Sequence, residues 1–198
     1  MGTPVAGAAD RTRVRRLPEL AVTDPAVLRA VLDAGVAGHV AFVHDGQPYA
    51  IPVAYGRSGD AVLFHGSTGS RLFRTLAAGV PCCFTVTHLD GLVLARSAFE
   101  TSMHYRSAMV LGRCSVVADK VPALRAISEH IVPGRWDVVR PPSTKELAAT
   151  LVLSLPLDEW SVKVNAGPPD SSPEDDGWDP PIGIVPVQLV RGELAEGV

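Results

Sequence analysis

Short apolar runs broken by two-residue turn signals dominate the chain from residue 39 to residue 118, and this pattern restricts the fold most. His39-Val40-Ala41-Phe42-Val43-His44 reads as a strand, Asp45-Gly46 as a hairpin turn, and Tyr49 to Tyr55 as the returning strand. Pro52 lacks an N–H, so that returning strand is expected at an edge or a bulge. Arg57-Ser58-Gly59-Asp60 turns into a strand that ends at His65. Cys82 to Thr87 and Leu92 to Ala98 read as strands on either side of an Asp90-Gly91 turn. Ser107 to Ala118, Leu151 to Leu155, Glu159 to Asn165 and Ile182 to Val190 read as further strands. Helices fall between them. Asp24 is a good N-cap with Pro25 at the first helical position. A second helix follows Ser70 and stops at Gly79, a third spans Val121 to Val132, and Ser143 with Glu146 has capping-box spacing for a short fourth. Regular βαβ alternation is missing. The predicted class is therefore mainly β: an antiparallel barrel with peripheral helices.

The chain has 198 residues, which suits one domain with a tail. Residues 1–22, rich in Gly, Ala and Arg, are expected to be flexible, and 23–198 to form the domain. Within it, 166–181 reads as an acidic, proline-rich connection carrying Trp178. A hydrophobic fraction of 46% supplies a sizeable core, and a net charge of −3 argues against a nucleic-acid partner. No apolar run reaches the roughly 18 residues of a membrane span. The absence of an apolar run near the start predicts no signal peptide, and three cysteines form no disulfide framework; a cytoplasmic setting is expected.

The stretch Val62 to Leu76 is the most informative chemically. A strand runs into the small-residue turn Gly66-Ser67-Thr68-Gly69-Ser70 and then into an amphipathic helix bearing Arg71 and Arg74. Free N–H groups at a helix start and a fixed cation favour an anion such as phosphate, although the turn matches neither a Walker motif nor GxGxxG. An ordinary strand–helix connection with solvated arginines is the alternative. His65 ends the strand beside this turn, either facing a cleft or half-exposed on the surface. The six histidines and three cysteines show no metal-ligand spacing, so no metal is expected. No G-x-S-x-G elbow surrounds Ser67 or Ser70. In a second stretch, Thr101 to Gly112, Tyr105 and Arg106 offer a flat ring and a fork donor at the mouth of an apolar strand. Taken alone, the stretch is better explained by a packed tyrosine and a surface arginine.

Four segments in register carry a family resemblance: Ile51-Pro52-Val53-Ala54-Tyr55, Leu63-Phe64-His65 leading to Arg71-Leu72, His104 to Gly112, and Leu155 to Lys163 with Trp160. Together, from about Val36 to about Asn165, they resemble the FMN-binding split-barrel family of pyridoxamine 5′-phosphate oxidases. They look most like its nitroimidazole-resistance branch. The resemblance implies a six-stranded antiparallel split β-barrel, a homodimer with FMN at the subunit interface, and reduction of a small-molecule electron acceptor. It places Pro52, Val53, Ala54 and Tyr55 along the isoalloxazine edge and Ser67, Ser70 and Arg71 at the phosphate. Tyr105, Arg106, Ser107 and Trp178 would lie near the ring, and His65 beside it as the catalytic residue. A nitroimidazole-reductase-like or pyridoxamine-phosphate-oxidase-like reaction follows. The alternatives are a non-enzymatic flavin- or haem-binding module and a deazaflavin-dependent reductase.

Overall fold

A computed structural model describes residues 5–6 and 10–195. Among them are eleven strands: β1 (Val5–Ala6), β2 (Ala21–Val22), β3 (Ala37–His44), β4 (Gln47–Ser58), β5 (Ala61–Ser67), β6 (Pro81–Leu94), β7 (Ser102–Arg113), β8 (Ser115–Val116), β9 (Thr150–Pro156), β10 (Glu159–Asn165) and β11 (Gly183–Pro186). Four α-helices lie between them: α1 (Pro25–Ala34), α2 (Arg71–Ala77), α3 (Lys120–Ile131) and α4 (Thr144–Ala149). The strand order is β1-β10-β7-β6-β3-β4-β5-β9-β8, with β2 added to β10 and β11 to β6. The fold is mainly antiparallel β with peripheral helices, as expected. The ends of this path do not pair with each other, and short edge strands extend it beyond the six strands anticipated.

Local chemistry sets the first elements. Asp24 accepts a hydrogen bond from the Ala26 N–H at 2.8 Å and starts α1, which buries Leu28, Val31 and Leu32. Asp45 and Gly46 both have positive φ, 51° and 76°, as a type I′ turn between antiparallel strands demands. β4 then changes partners: Gln47 to Ala54 pair with β3, and Tyr55 to Ser58 pair with β5.

Two compact units divide the chain. The first, within residues 1–87 and 107–163, holds an aromatic core in which Tyr55 meets Phe84 edge-on at 5.0 Å and Phe64 stacks on Phe84 at 6.3 Å. α3 packs Ala123 and Ile127 against Leu63 and Val152. Gly56 permits that approach, because a Cβ there would lie 2.8 Å from the Cα of Ile127. Residues 10–22 were expected to be loose, but they follow β10. Arg11 makes two 2.6 Å bonds to Glu159, and Ala21–Val22 pairs with Lys163 and Val162.

The second unit, within residues 88–106 and 164–198, contains the outer ends of β6 and β7 and all of β11. Its arrangement corrects three expectations. Asp90-Gly91 is not a turn: β6 runs straight through it, and Gly91 pairs with Pro186 of β11. A Cβ on Gly91 would meet Ile184 Cγ2 at 2.9 Å, so this glycine serves close strand approach instead of chain reversal. Tyr105 and Arg106 do not precede a strand; they lie within β7, which begins at Ser102. The last strand is shorter than expected and ends at Pro186, which has no N–H to offer a ladder. No described helix is long and apolar enough to cross a membrane.

Candidate functional site

The partner change in β4 creates an open edge. From Ile51 to Ala54 the strand has β3 on one side, while β5 joins on the other side only from Tyr55 onward. Outward-pointing backbone groups on that edge are free to meet a ligand. Opposite it stands the start of α2. Gly66 makes this proximity possible, since a Cβ there would lie 2.2 Å from the Phe73 ring. The resulting cavity of about 450 Å³ is lined by Phe42, the segment from Ile51 to Ala54, His65, and Ser70 to Phe73.

The polar groups of this cleft are unspent. Ser70 occupies the N-cap position of α2, but its side chain makes no capping bond, leaving the hydroxyl and the first helical N–H groups available. Ser67 shapes the turn, its hydroxyl accepting the Gly69 N–H at 3.1 Å. Arg71 lies with its guanidinium carbon 4.2 Å from the centre of the Tyr49 ring, and no carboxylate pairs with it among the described residues. A cation held by an aromatic face and left without an acid is well placed to take an anionic group.

β5 packs against both α2 and α3, and His65 lines a second cavity of about 520 Å³ on the α3 side. Its walls are apolar: Leu124, Ile127 and Ile131 from α3, and Trp136 from the loop that follows. Glu129 sets that loop by accepting the N–H groups of Gly134 at 2.6 Å and Trp136 at 2.9 Å. At the rim, Arg140 pairs with Glu146 at 2.5 and 2.9 Å. The His65 ring reaches solvent, yet the surrounding protein removes enough water to hold its pKa below the ordinary imidazole value. At neutral pH it is uncharged and keeps a nitrogen lone pair.

Of the residues singled out from sequence, Pro52, Val53, Ala54, His65, Ser70 and Arg71 come together around one cavity. Tyr55, Ser67 and Ser107 belong to the same unit but do not line it. Tyr55 is fully buried, its hydroxyl donating to the Leu32 carbonyl at 2.5 Å. Ser107 lines a different cavity with Thr85, Thr87 and Lys163. Arg106 is engaged by Asp90 through two 2.8 Å bonds, Tyr105 is half-buried in β7, and Trp178 is 71% exposed. The α3-side cavity was not anticipated. Besides His65, its sequence trace is the aromatic Trp136 placed just after the Pro133-Gly134 break of an apolar-faced helix.

Known proteins place this geometry in context. A family model described as pyridoxamine 5′-phosphate oxidase matches residues 24–164. No functionally curated protein matches the chain. Among solved structures, the FAD and haem binding protein from Mycobacterium smegmatis is 42% identical, with a TM-score of 0.80 over 90% of this chain and 92% of the other. The flavocytochrome Anf3 from Azotobacter vinelandii is 39% identical, with a TM-score of 0.88 over 98% of this chain and 92% of the other. A Bacteroides thetaiotaomicron protein assigned to 5-nitroimidazole antibiotic resistance shares the fold at 22% identity, with a TM-score of 0.61 over 73% of this chain and 86% of the other. The match over residues 24–164 and the two relatives near 40% identity lead to one conclusion: the chain belongs to the pyridoxamine 5′-phosphate oxidase family.

Proposed function

We propose that this protein binds a flavin nucleotide in the cleft between β4 and α2 and works as an oxidoreductase on a small-molecule acceptor, as a homodimer with the flavin at the subunit interface. The observation that carries the reading is the unpaired edge from Ile51 to Ala54 facing Ser70 and Arg71, which has no acidic partner among the described residues, across one cavity. A flavin bound there supplies one- or two-electron transfer. The chain's own part is positional. The β4 edge offers backbone hydrogen-bonding groups to a heterocycle, Phe42 and Ile51 give apolar contact, and Ser70 with Arg71 holds a phosphate. His65, neutral at pH 7, holds or delivers a proton at the acceptor. FMN is the form expected from the sequence. FAD is the form in the name of the Mycobacterium smegmatis relative, and its phosphates carry the same chemistry to Arg71.

The α3-side cavity favours a second reading, in which a haem binds as well. Its apolar walls fit a macrocycle, and an uncharged histidine is a usual ligand of haem iron. Arg140 would exchange Glu146 for a propionate. Bound haem supplies one-electron chemistry. Both relatives near 40% identity are named for haem or cytochrome, which supports this reading.

The absorption spectrum of the purified protein, before and after reconstitution with FMN, FAD or haem, tests both readings. A flavin band is expected, weakened in Arg71→Ala by about 1.5–3 kcal/mol of binding free energy, the worth of a hydrogen bond to a charged group. His65→Ala is expected to keep the flavin while slowing acceptor reduction and, if haem is bound, to lose the Soret band. Absence of flavin uptake from any of these solutions overturns the first reading. An unchanged Soret band in His65→Ala overturns the second.

A further inference from the structure

A second polar surface lies on the strands β10, β7 and β6, which are neighbours in the sheet. Alternation sends Phe84, Val86, Ala108, Val110, Trp160 and Val162 into the core. The residues between them, Thr85, Thr87, Ser107, Met109, Ser161 and Lys163, line a cavity of about 490 Å³ together with Thr12, Arg13, Val14 and Arg16. None of the ten is acidic.

Charge pairing in the covering segment is uneven. Arg11 and Arg15 are each 2.6 Å from a carboxylate, Glu159 and Asp10. Arg13 and Arg16 have no acidic partner among the described residues, and both belong to the cavity wall. Lys163 donates to the Arg16 carbonyl at 3.1 Å, tying the segment to β10 and adding a third positive charge. Four strand hydroxyls, on Thr85, Thr87, Ser107 and Ser161, face the same space. Val14 and Met109 give it an apolar patch. Three cations without an acid call for a polyanion, hydroxyls suit ribose and phosphate oxygens, and an adaptable methionine beside a valine suits a flat heterocycle.

We infer that this cavity is a nucleotide site that takes an adenosine 5′-diphosphate moiety. Two redox molecules contain that moiety: FAD, in the half remote from its ring, and the nicotinamide dinucleotides. Assigning the source rests on the flavin reading above; the nucleotide site itself does not.

Calorimetric titration of ADP into the full-length protein, flavin-free and FMN-loaded, tests the inference, with adenosine as the phosphate-free control. The Arg13→Ala/Arg16→Ala double variant changes only exposed side chains, so its fold should be retained. ADP is expected to bind, adenosine not, and the double variant to lose ADP affinity by about tenfold or more, with strong dependence on salt. If the double variant also loses affinity for FAD but not for FMN, the cavity holds the remote half of FAD. If ADP binds FAD-loaded protein without displacing the flavin, and the FAD-to-FMN preference is unchanged, the site serves a separate dinucleotide. If no flavin binds while ADP still depends on the two arginines, the flavin reading falls and the nucleotide site stands. ADP binding that is absent, or equal in wild type and double variant, overturns the inference.

Discussion

Tyr55 takes a polar atom into the core and satisfies it there. Its hydroxyl donates to the Leu32 carbonyl near the end of α1, its ring packs edge-on to Phe84, and its burial pushes the phenol pKa upward. Tyr55→Phe keeps the ring and removes the donor, so a stability loss of about 0.5–1.5 kcal/mol is expected in urea denaturation, with flavin affinity unchanged. A flavin loss in that variant would place Tyr55 in the site and not beneath it. His65 behaves differently with pH. Its folded pKa lies below the ordinary 6.5, because lost hydration disfavours the charged ring. As pH falls through that value the unfolded chain takes up the proton first. Stability is therefore full above about 6.5, declines as pH drops toward the folded pKa, and levels off below it. His65→Asn is expected to remove that part of the slope in denaturation midpoints measured across the window; an unaltered slope would mean the ring is as well hydrated as in the unfolded chain.

At the scale of elements, two glycines set how closely the helices approach the strands. Gly66 faces the Phe73 ring of α2, and Gly56 faces the α3 backbone at Ile127. Gly66→Ala should displace the start of α2, and Gly56→Ala should lift α3, each costing about 1–3 kcal/mol as overpacking does. The functional effects should separate: weaker flavin binding in the first, a disturbed α3-side cavity with flavin retained in the second. Identical effects on both cavities would mean that the helices move together. These elements also show what the sequence reveals. The segment from residue 24 to residue 77 was legible because each signal there is local, from the Asp24 cap to the Asp45-Gly46 turn and the Gly66–Ser70 loop. Gly91 was misread because a glycine used for close approach looks the same as one used for a turn, and only the partner strand β11 tells them apart. Asp90 as the partner of Arg106 was not legible, because sixteen positions away it comes opposite only once β6 and β7 are in place. Residues 10–22 looked loose because what orders them, Glu159 and β10, lies some 148 positions further on.

For the whole molecule, the remaining apolar surface bears on the proposed homodimer. In the unit formed by residues 88–106 and 164–198, Leu92 and Leu94 alternate with the buried Val93 on β6, and Val185 of β11 pairs with Leu92 and shares its face. Leu92, Leu94 and Val185 are 43%, 38% and 45% exposed. Clustered apolar side chains of this kind mark a surface that another protein covers, and the proposed homodimer supplies a second copy as the occupant. A stable dimer of standard size would bury about 800 Å² on each partner. Light scattering is expected to report a dimer across the micromolar range. Leu92→Glu combined with Leu94→Glu is expected to shift it to monomer, because charges without partners would have to be desolvated at the interface. If the flavin cleft is completed by the second subunit, the same double variant should lose flavin as it loses the dimer, following mass action. A wild-type monomer with flavin bound would remove both the interface and the shared cleft. A monomeric variant that keeps flavin would remove only the sharing, leaving the β4 edge and Arg71 sufficient within one chain.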